Sequence, residues 1–350
     1  MSLSDAPLVS VLTPVYNGAE FLEACIESVL KQNYQNYEYI IINNCSTDRT
    51  LEIAQAYAKQ DRRIRVHDNT DFVAVIANHN IAFGLISPAA KYCKVVSADD
   101  FIFPECLERM VEFGEAHPSA GIIGSYQLSG DFIRWQGFAY PQAVLTGVEM
   151  CRRVFLGGDN SFGFGSPTSI LYRADLVRET PEFYPNASPH SDTSACFRCL
   201  QKSDFGFVYQ VLSFEKTHGE TQSSASAQMN RYSSANLNDL VCYGPSFLNP
   251  AEMKYQVDET LDDYYRFLAV NYFIGFRGKD FWKYHRSRLD ELGYPFQQIR
   301  LLKAALRTVA RESLNPARAV RKAWKHAFQR PAKPRAAEPA KTDSEKLAKC

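Results

Sequence analysis

Val9-Ser10-Val11-Leu12-Thr13-Pro14-Val15-Tyr16-Asn17 and, one helix further on, Asn43-Asn44-Cys45-Ser46-Thr47-Asp48-Arg49-Thr50 decide the fold of this chain. In each, an apolar run with the pattern of a buried strand meets a polar turn, and each turn opens a helix. Residues 9–14 read as the first strand. Residues 19–32 read as an amphipathic helix with Phe21, Leu22, Cys25, Ile26, Val29 and Leu30 on its inner face. Residues 39–42 form the second strand, and Ser46-Thr47-Asp48 supplies capping side chains ahead of a helix over 50–59. In an open α/β sheet such turns share one edge, the edge where ligands bind.

The alternation continues with strands at 64–67, 92–97 and 122–128 and helices at 75–86 and 104–117. It predicts an α/β, doubly wound, mainly parallel sheet flanked by helices. Beyond it, 157–165 is rich in glycine and aromatics, 168–172 and 206–214 are strand-like, and 191–202 is helical. A Ser/Gln/Asn-rich loop covers 220–236, followed by an aromatic helical extension across 261–292. Residues 297–328 are basic and amphipathic, broken at Pro316, and the Pro/Ala/Lys/Glu composition of 330–350 predicts disorder. The expected division is a ligand-binding and catalytic domain over 1–235, a helical extension over 236–296, a basic helical segment over 297–329 and a tail over 330–350.

The 350 residues carry 39 basic and 39 acidic side chains, but unevenly. From Arg300 onward there are 14 Lys/Arg against 4 Asp/Glu, so the remainder is acidic by the same margin. An acidic body argues against a nucleic-acid partner. The nine cysteines are scattered. Cys196 and Cys199 are a lone C-x-x-C at helical spacing, which reads as two core thiols rather than half a zinc site. Free thiols in this number predict a reducing, cytoplasmic setting. No leader pattern opens the sequence, and no apolar run approaches the ~20 residues of a membrane span. In the basic segment Leu301, Leu302, Leu306, Val309, Val320, Trp324 and Phe328 recur at helical spacing among cations. That pattern fits peripheral contact with the inner face of an anionic membrane, or packing on an acidic protein surface.

Four further segments complete the pattern: Asn78-His79-Asn80; Ser97-Ala98-Asp99-Asp100 before Pro104; Pro189-His190-Ser191-Asp192-Thr193; and Phe214-Glu215-Lys216-Thr217-His218 ahead of a Ser-rich loop. With the two opening turns and residues 165–173, their order and spacing over about 8–225 resemble the family 2 (GT-A) glycosyltransferases. The resemblance implies an inverting transfer of a sugar from a nucleotide-diphosphate donor, a UDP-sugar first, to a glycan or lipid-linked acceptor in polysaccharide or glycolipid synthesis. It implies a GT-A fold, and Mn2+ or Mg2+ as cofactor.

Carried over position by position, Thr13, Pro14, Tyr16 and Asn17 hold the nucleoside. Asn43 and Asn44 stand where the family usually has two acids, and an amide can still pair with a base. Asn80 neighbours the nucleotide, while His79 reads as a helix-surface residue. Ser97 replaces the first acid of the family's Asp-x-Asp-Asp and can bond a ribose hydroxyl. Asp99 is the metal ligand, with Asp100 assisting or touching sugar and His218 completing the shell or meeting the diphosphate. Asp192 is the base, with Ser191 in place of a usual Glu. Helix-start roles compete with these at Asn17, Asp48, Asp99-Asp100 and Asp192. Two other functions remain open: a non-catalytic sugar- or nucleotide-binding relative, and a dinucleotide oxidoreductase, against which the missing G-x-G-x-x-G counts.

Overall fold

The computed structural model describes residues 6–157, 162–185, 188, 190–216, 232–273 and 277–313. Contacts divide the chain into two units, one of residues up to 264 together with 277–296, the other of 265–276 with 297 onward.

The first unit is built on a ten-stranded sheet. Its parallel half is β1 (Leu8–Val15), β2 (Tyr37–Asn43), β3 (Ile64–Asp68) and β4 (Ala90–Val95), in the order β3-β2-β1-β4. β1, β2 and β4 are buried on both faces because helices cover both: α1 (Leu22–Leu30), α2 (Thr50–Gln60) and α3 (Val75–Gly84) are the crossovers. The edge strand β3 is largely polar. Val9, Val11, Leu12, Ile40, Ile41 and Ile42 are at most 1% exposed. β1 runs one residue past the predicted end at Pro14, and the proline is tolerated there for a geometric reason. The amide of Val96 donates to the carbonyl of Leu12, so even-numbered residues of β1 face β4. β4 stops pairing at Leu12 and Val95, so the donor that Pro14 lacks has no strand to meet.

The other half is mixed. β5 (Phe101–Ile102), α4 (Cys106–Ala116), β6 (Ala120–Ser129), β7 (Phe132–Arg134), β8 (Val144–Leu145) and α5 (Gly147–Leu156) come next in the chain. A 3-10 turn, Pro167–Ser169, leads into β9 (Ile170–Arg173), α6 (Ala174–Arg178), α7 (Ser191–Leu200) and β10 (Asp204–Glu215). β9 lies antiparallel between β4 and β6, β6 and β10 are parallel, and β5 and β8 run antiparallel to β10. Cys196 and Cys199 are both buried, as core thiols should be.

Helices Tyr232–Phe247, Pro250–Phe273 and Lys279–Glu291 follow. The first of them occupies the end of the stretch expected to be a loop. In the second unit, helix Gln298–Ser313 begins where Gln297 donates its backbone N–H to the Tyr265 hydroxyl at 2.7 Å. Among the described residues no helix is long and apolar enough to cross a membrane.

Candidate active site

The two opening turns meet at the carboxyl edge of β1 and β2 and are stitched side by side. Asn17, in the left-handed region at φ 50°, accepts the Thr47 N–H at 2.8 Å through Oδ1 and donates its own N–H to Ser46 Oγ at 2.9 Å. Gly18 N–H donates to Thr50 Oγ1 at 2.9 Å, and Ala19 N–H to Asp48 Oδ2 at 3.0 Å. Asp48 Oδ1 also takes the N–H and hydroxyl of Thr50. Burial pulls this carboxyl upward, but the bonds from Thr50 and Ala19 outweigh it and leave it below the usual carboxylate range. Asp48 is therefore a clamp at a helix start.

Thr13, expected at the edge, lies beneath it. It is fully buried, and its hydroxyl donates to the Val96 carbonyl at 2.9 Å and shares a 3.0 Å bond with the Tyr39 hydroxyl. Tyr16 does reach the surface. Its ring is 48% exposed and meets Phe72, 60% exposed, edge-on with centroids 4.8 Å apart. Two exposed aromatics in contact make a platform on which a flat ring can stack.

Behind the platform is a buried amide network. Asn43 Nδ2 donates to Asp68 at 2.7 Å. Asn44 grips the peptide of Val73 from both sides, donating to its carbonyl at 2.8 Å and accepting its N–H at 3.0 Å. Asn69 donates to Asn44 at 3.1 Å and to Asn78 at 2.9 Å, and its own Oδ1 is buried without a partner among the described residues. Asn80 holds the backbone of Tyr184 by two 2.8 Å bonds, so it organises protein rather than facing open space. His79 Nδ1 lies 2.9 Å from the Val75 carbonyl, with its ring stacked on Tyr184.

The acidic turn follows β4 on the same edge. Asp99 is half-buried, whereas Asp100 is 7% exposed and fully engaged: Oδ2 accepts the Thr168 hydroxyl at 2.6 Å and Oδ1 the Lys216 N–H at 3.2 Å. Burial, with the charges of Asp99 and Glu215, pushes the Asp100 carboxyl up to about 7 despite the Thr168 bond. Thr168 also lies 3.3 Å from Ser97 Oγ and takes the Ser97 N–H at 3.1 Å. Under this group is Lys94, completely buried in β4, donating to the carbonyls of Thr168 at 2.6 Å and Ile170 at 3.0 Å. Burial lowers its pKa, and the nearby Asp100 opposes the shift. The 3-10 turn holding Thr168 starts after Gly165 at φ 118°, where an added Cβ would stand 2.5 Å from Ser169 Oγ.

Asp192 lies half-buried in the first turn of α7. Its neighbour Ser191 is buried and donates to the carbonyls of Pro185 and Ser188, both at 2.9 Å. His190 is held low by burial against the opposing pull of Asp192, and its Nε2 is buried without a partner among the described residues. Deeper in, Ser194 donates to Asp239, whose carboxyl burial pushes up to about 7.

His218 lies outside the described residues, and among those described no cluster of three or more His, Cys, Asp or Glu side chains could cage a metal ion. The acidic turn fits a divalent cation in another way. Asp99 offers hard oxygen, and its charge already burdens the buried carboxylate beside it, so a cation shared with a ligand's own oxygens would relieve both. Sequence reasoning missed Phe72, Asn69 and Lys94. Only Lys94 left a trace, as a cation inside the apolar run Tyr92-Cys93-Lys94-Val95-Val96.

The model of Glycosyl transferase family 2 matches residues 10–179. Over 180 residues the chain is 30% identical to glycosyltransferase GlyG of Streptococcus pneumoniae, covering 49% of this chain and 58% of that protein. It is 37% identical over 182 residues to the putative teichuronic acid biosynthesis glycosyltransferase TuaG of Bacillus subtilis, covering 49% of this chain and 70% of the relative. Its fold matches S. aureus TarS residues 1–349 in complex with UDP-GlcNAc, at a TM-score of 0.59 and 17% identity over 81% of this chain and 80% of that one. Motif order, a stitched two-turn edge and these likenesses agree, and the chain belongs to glycosyl transferase family 2.

Proposed function

We propose that this protein transfers a sugar from a nucleotide-diphosphate donor to an acceptor hydroxyl in cell-envelope polysaccharide or glycolipid synthesis, with inversion at the anomeric carbon. The observation that carries the reading is the convergence on one sheet edge of the Tyr16–Phe72 platform and the Asp99–Asp100 turn. The platform stacks the base, and the acidic turn lies where a diphosphate would follow. UDP is the first candidate nucleotide, consistent with the UDP-GlcNAc bound by TarS. Mn2+ or Mg2+ held by Asp99 would supply positive charge against the departing diphosphate. Asp192 takes the proton of the acceptor hydroxyl as its oxygen attacks in line. The new glycosidic bond forms while the bond to the diphosphate breaks, so a single carboxylate is enough. Thr168, Ser97, Lys94 and Asp100 hold the acidic turn in shape.

Calorimetry with UDP-, GDP- and dTDP-sugars, with and without Mn2+, tests the donor site, and donor hydrolysis tests turnover. Asp192→Asn should lower turnover by ~10²–10⁴-fold while leaving donor affinity unchanged. An Asp192→Asn protein with full rate removes the base, and a chain that binds no nucleotide overturns the whole reading. One observation favours a second reading, a non-catalytic nucleotide-sugar binder: three of the four hydrogen-bonding positions of the Asn44 amide are taken by Val73 and Asn69. Donor binding with no hydrolysis and no transfer to any acceptor would select it.

A further inference from the structure

The apolar residues of helix Gln298–Ser313 separate into two sets. Ala304 and Ala305 are buried, while Ile299, Leu302, Leu306 and Val309 are 70%, 61%, 62% and 53% exposed. Their spacing of three, four and three places them in one row along the helix. Single exposed aliphatics are ordinary on a protein surface; four in an unbroken row are not. The row is set among cations. From 298 to 330 the sequence has nine Lys/Arg and one acid, Glu312, and it adds Trp324 and Phe328.

We infer that helix Gln298–Ser313 docks this protein on an anionic lipid bilayer. The Ile299–Leu302–Leu306–Val309 row enters the boundary between headgroups and acyl chains, and the Lys/Arg that flank it on the same helix meet lipid phosphates. The charge pattern selects this occupant. Two copies of so basic a helix would repel along the same row, and a nucleic acid would have no use for four exposed aliphatics. The inference goes beyond the transferase reading and does not depend on it.

Flotation of the full chain with vesicles tests it, using phosphatidylcholine alone against equal parts phosphatidylcholine and phosphatidylglycerol. The chain should float with the mixed vesicles, not with the neutral ones, and progressively less as salt rises. Leu302→Glu combined with Leu306→Glu should weaken that binding by roughly tenfold or more, with thermal stability and nucleotide affinity unchanged because both side chains are exposed. Lys303→Glu, on the same helix and exposed, should also weaken it, leaving the apolar row intact. Equal flotation with both vesicle types, no flotation with either, or flotation unmoved by the double leucine variant overturns the inference. A concentration-dependent dimer in sedimentation velocity that the leucine variant abolishes overturns it too, by giving the row to a second copy. Nucleotide titration of the same preparations reports on the transferase reading separately.

Discussion

Tyr16 and Phe72 come from different turns, and neither ring is needed to fill the core. Exposed aromatics in contact are worth more to a ligand than to the fold. Tyr16→Ala or Phe72→Ala should therefore weaken nucleotide binding by about 1–3 kcal/mol, on the scale of base–aromatic stacking, with little change in melting temperature. Calorimetry against free UDP and a thermal melt check the two halves of that statement. Tyr16 was legible in the sequence because it closes a strand-to-turn motif. Phe72 was not, because nothing local marks an aromatic in the Asp71-Phe72-Val73 turn as facing a residue 56 positions earlier. Thr13 shows the converse. Its motif was visible, but only the sheet reveals that the hydroxyl is spent on Val96 and Tyr39.

At the scale of elements, long periodic segments were readable and short paired ones were not. β1, β2 and β4 announce themselves as apolar runs bounded by polar turns. β5, β7 and β8 are two or three residues long; β5 and β8 become strands only through long-range pairing with β10, and β7 through a tight hairpin onto β6. α5 did leave a local signal. Thr146 accepts the Glu149 N–H at 3.1 Å and caps the helix. Thr146→Ala should cost about 0.5–2 kcal/mol, and Thr146→Ser should restore most of it in a denaturant titration. The helix Tyr232–Phe247 was hidden by its polar composition; Asp239, buried against Ser194, holds it to α7.

For the molecule as a whole, two carboxyls buried in the first unit set the direction of pH dependence. Asp100 and Asp239 are each raised from 3.8 to about 7 in the folded protein. Between those values the native state binds more protons than the unfolded chain, so stability falls as pH rises. Their contribution is complete below about pH 4 and is lost as pH climbs through about 7. Carboxyls held low, such as Asp48, act only at more acidic pH. His79 and His190, lowered by burial, act in the opposite sense below 6.5. Asp239→Asn isolates one contribution: its loss of stability between about pH 5 and about pH 8 should be smaller than that of the parent by an amount on the order of 1–4 kcal/mol. Melting curves without nucleotide or metal measure it.

Asn44's two-sided grip on Val73 also makes this edge intolerant of an acid at that position. An acid there would exchange a donor for a second acceptor, facing the Val73 carbonyl with like partial charge. The turn that carries Phe72 would lose its clasp, so Asn44→Asp alone should destabilise the chain by about 1–3 kcal/mol and loosen the platform in hydrogen exchange. Amide and turn depend on each other, so the side chain at position 44 can be exchanged only together with the turn it clasps.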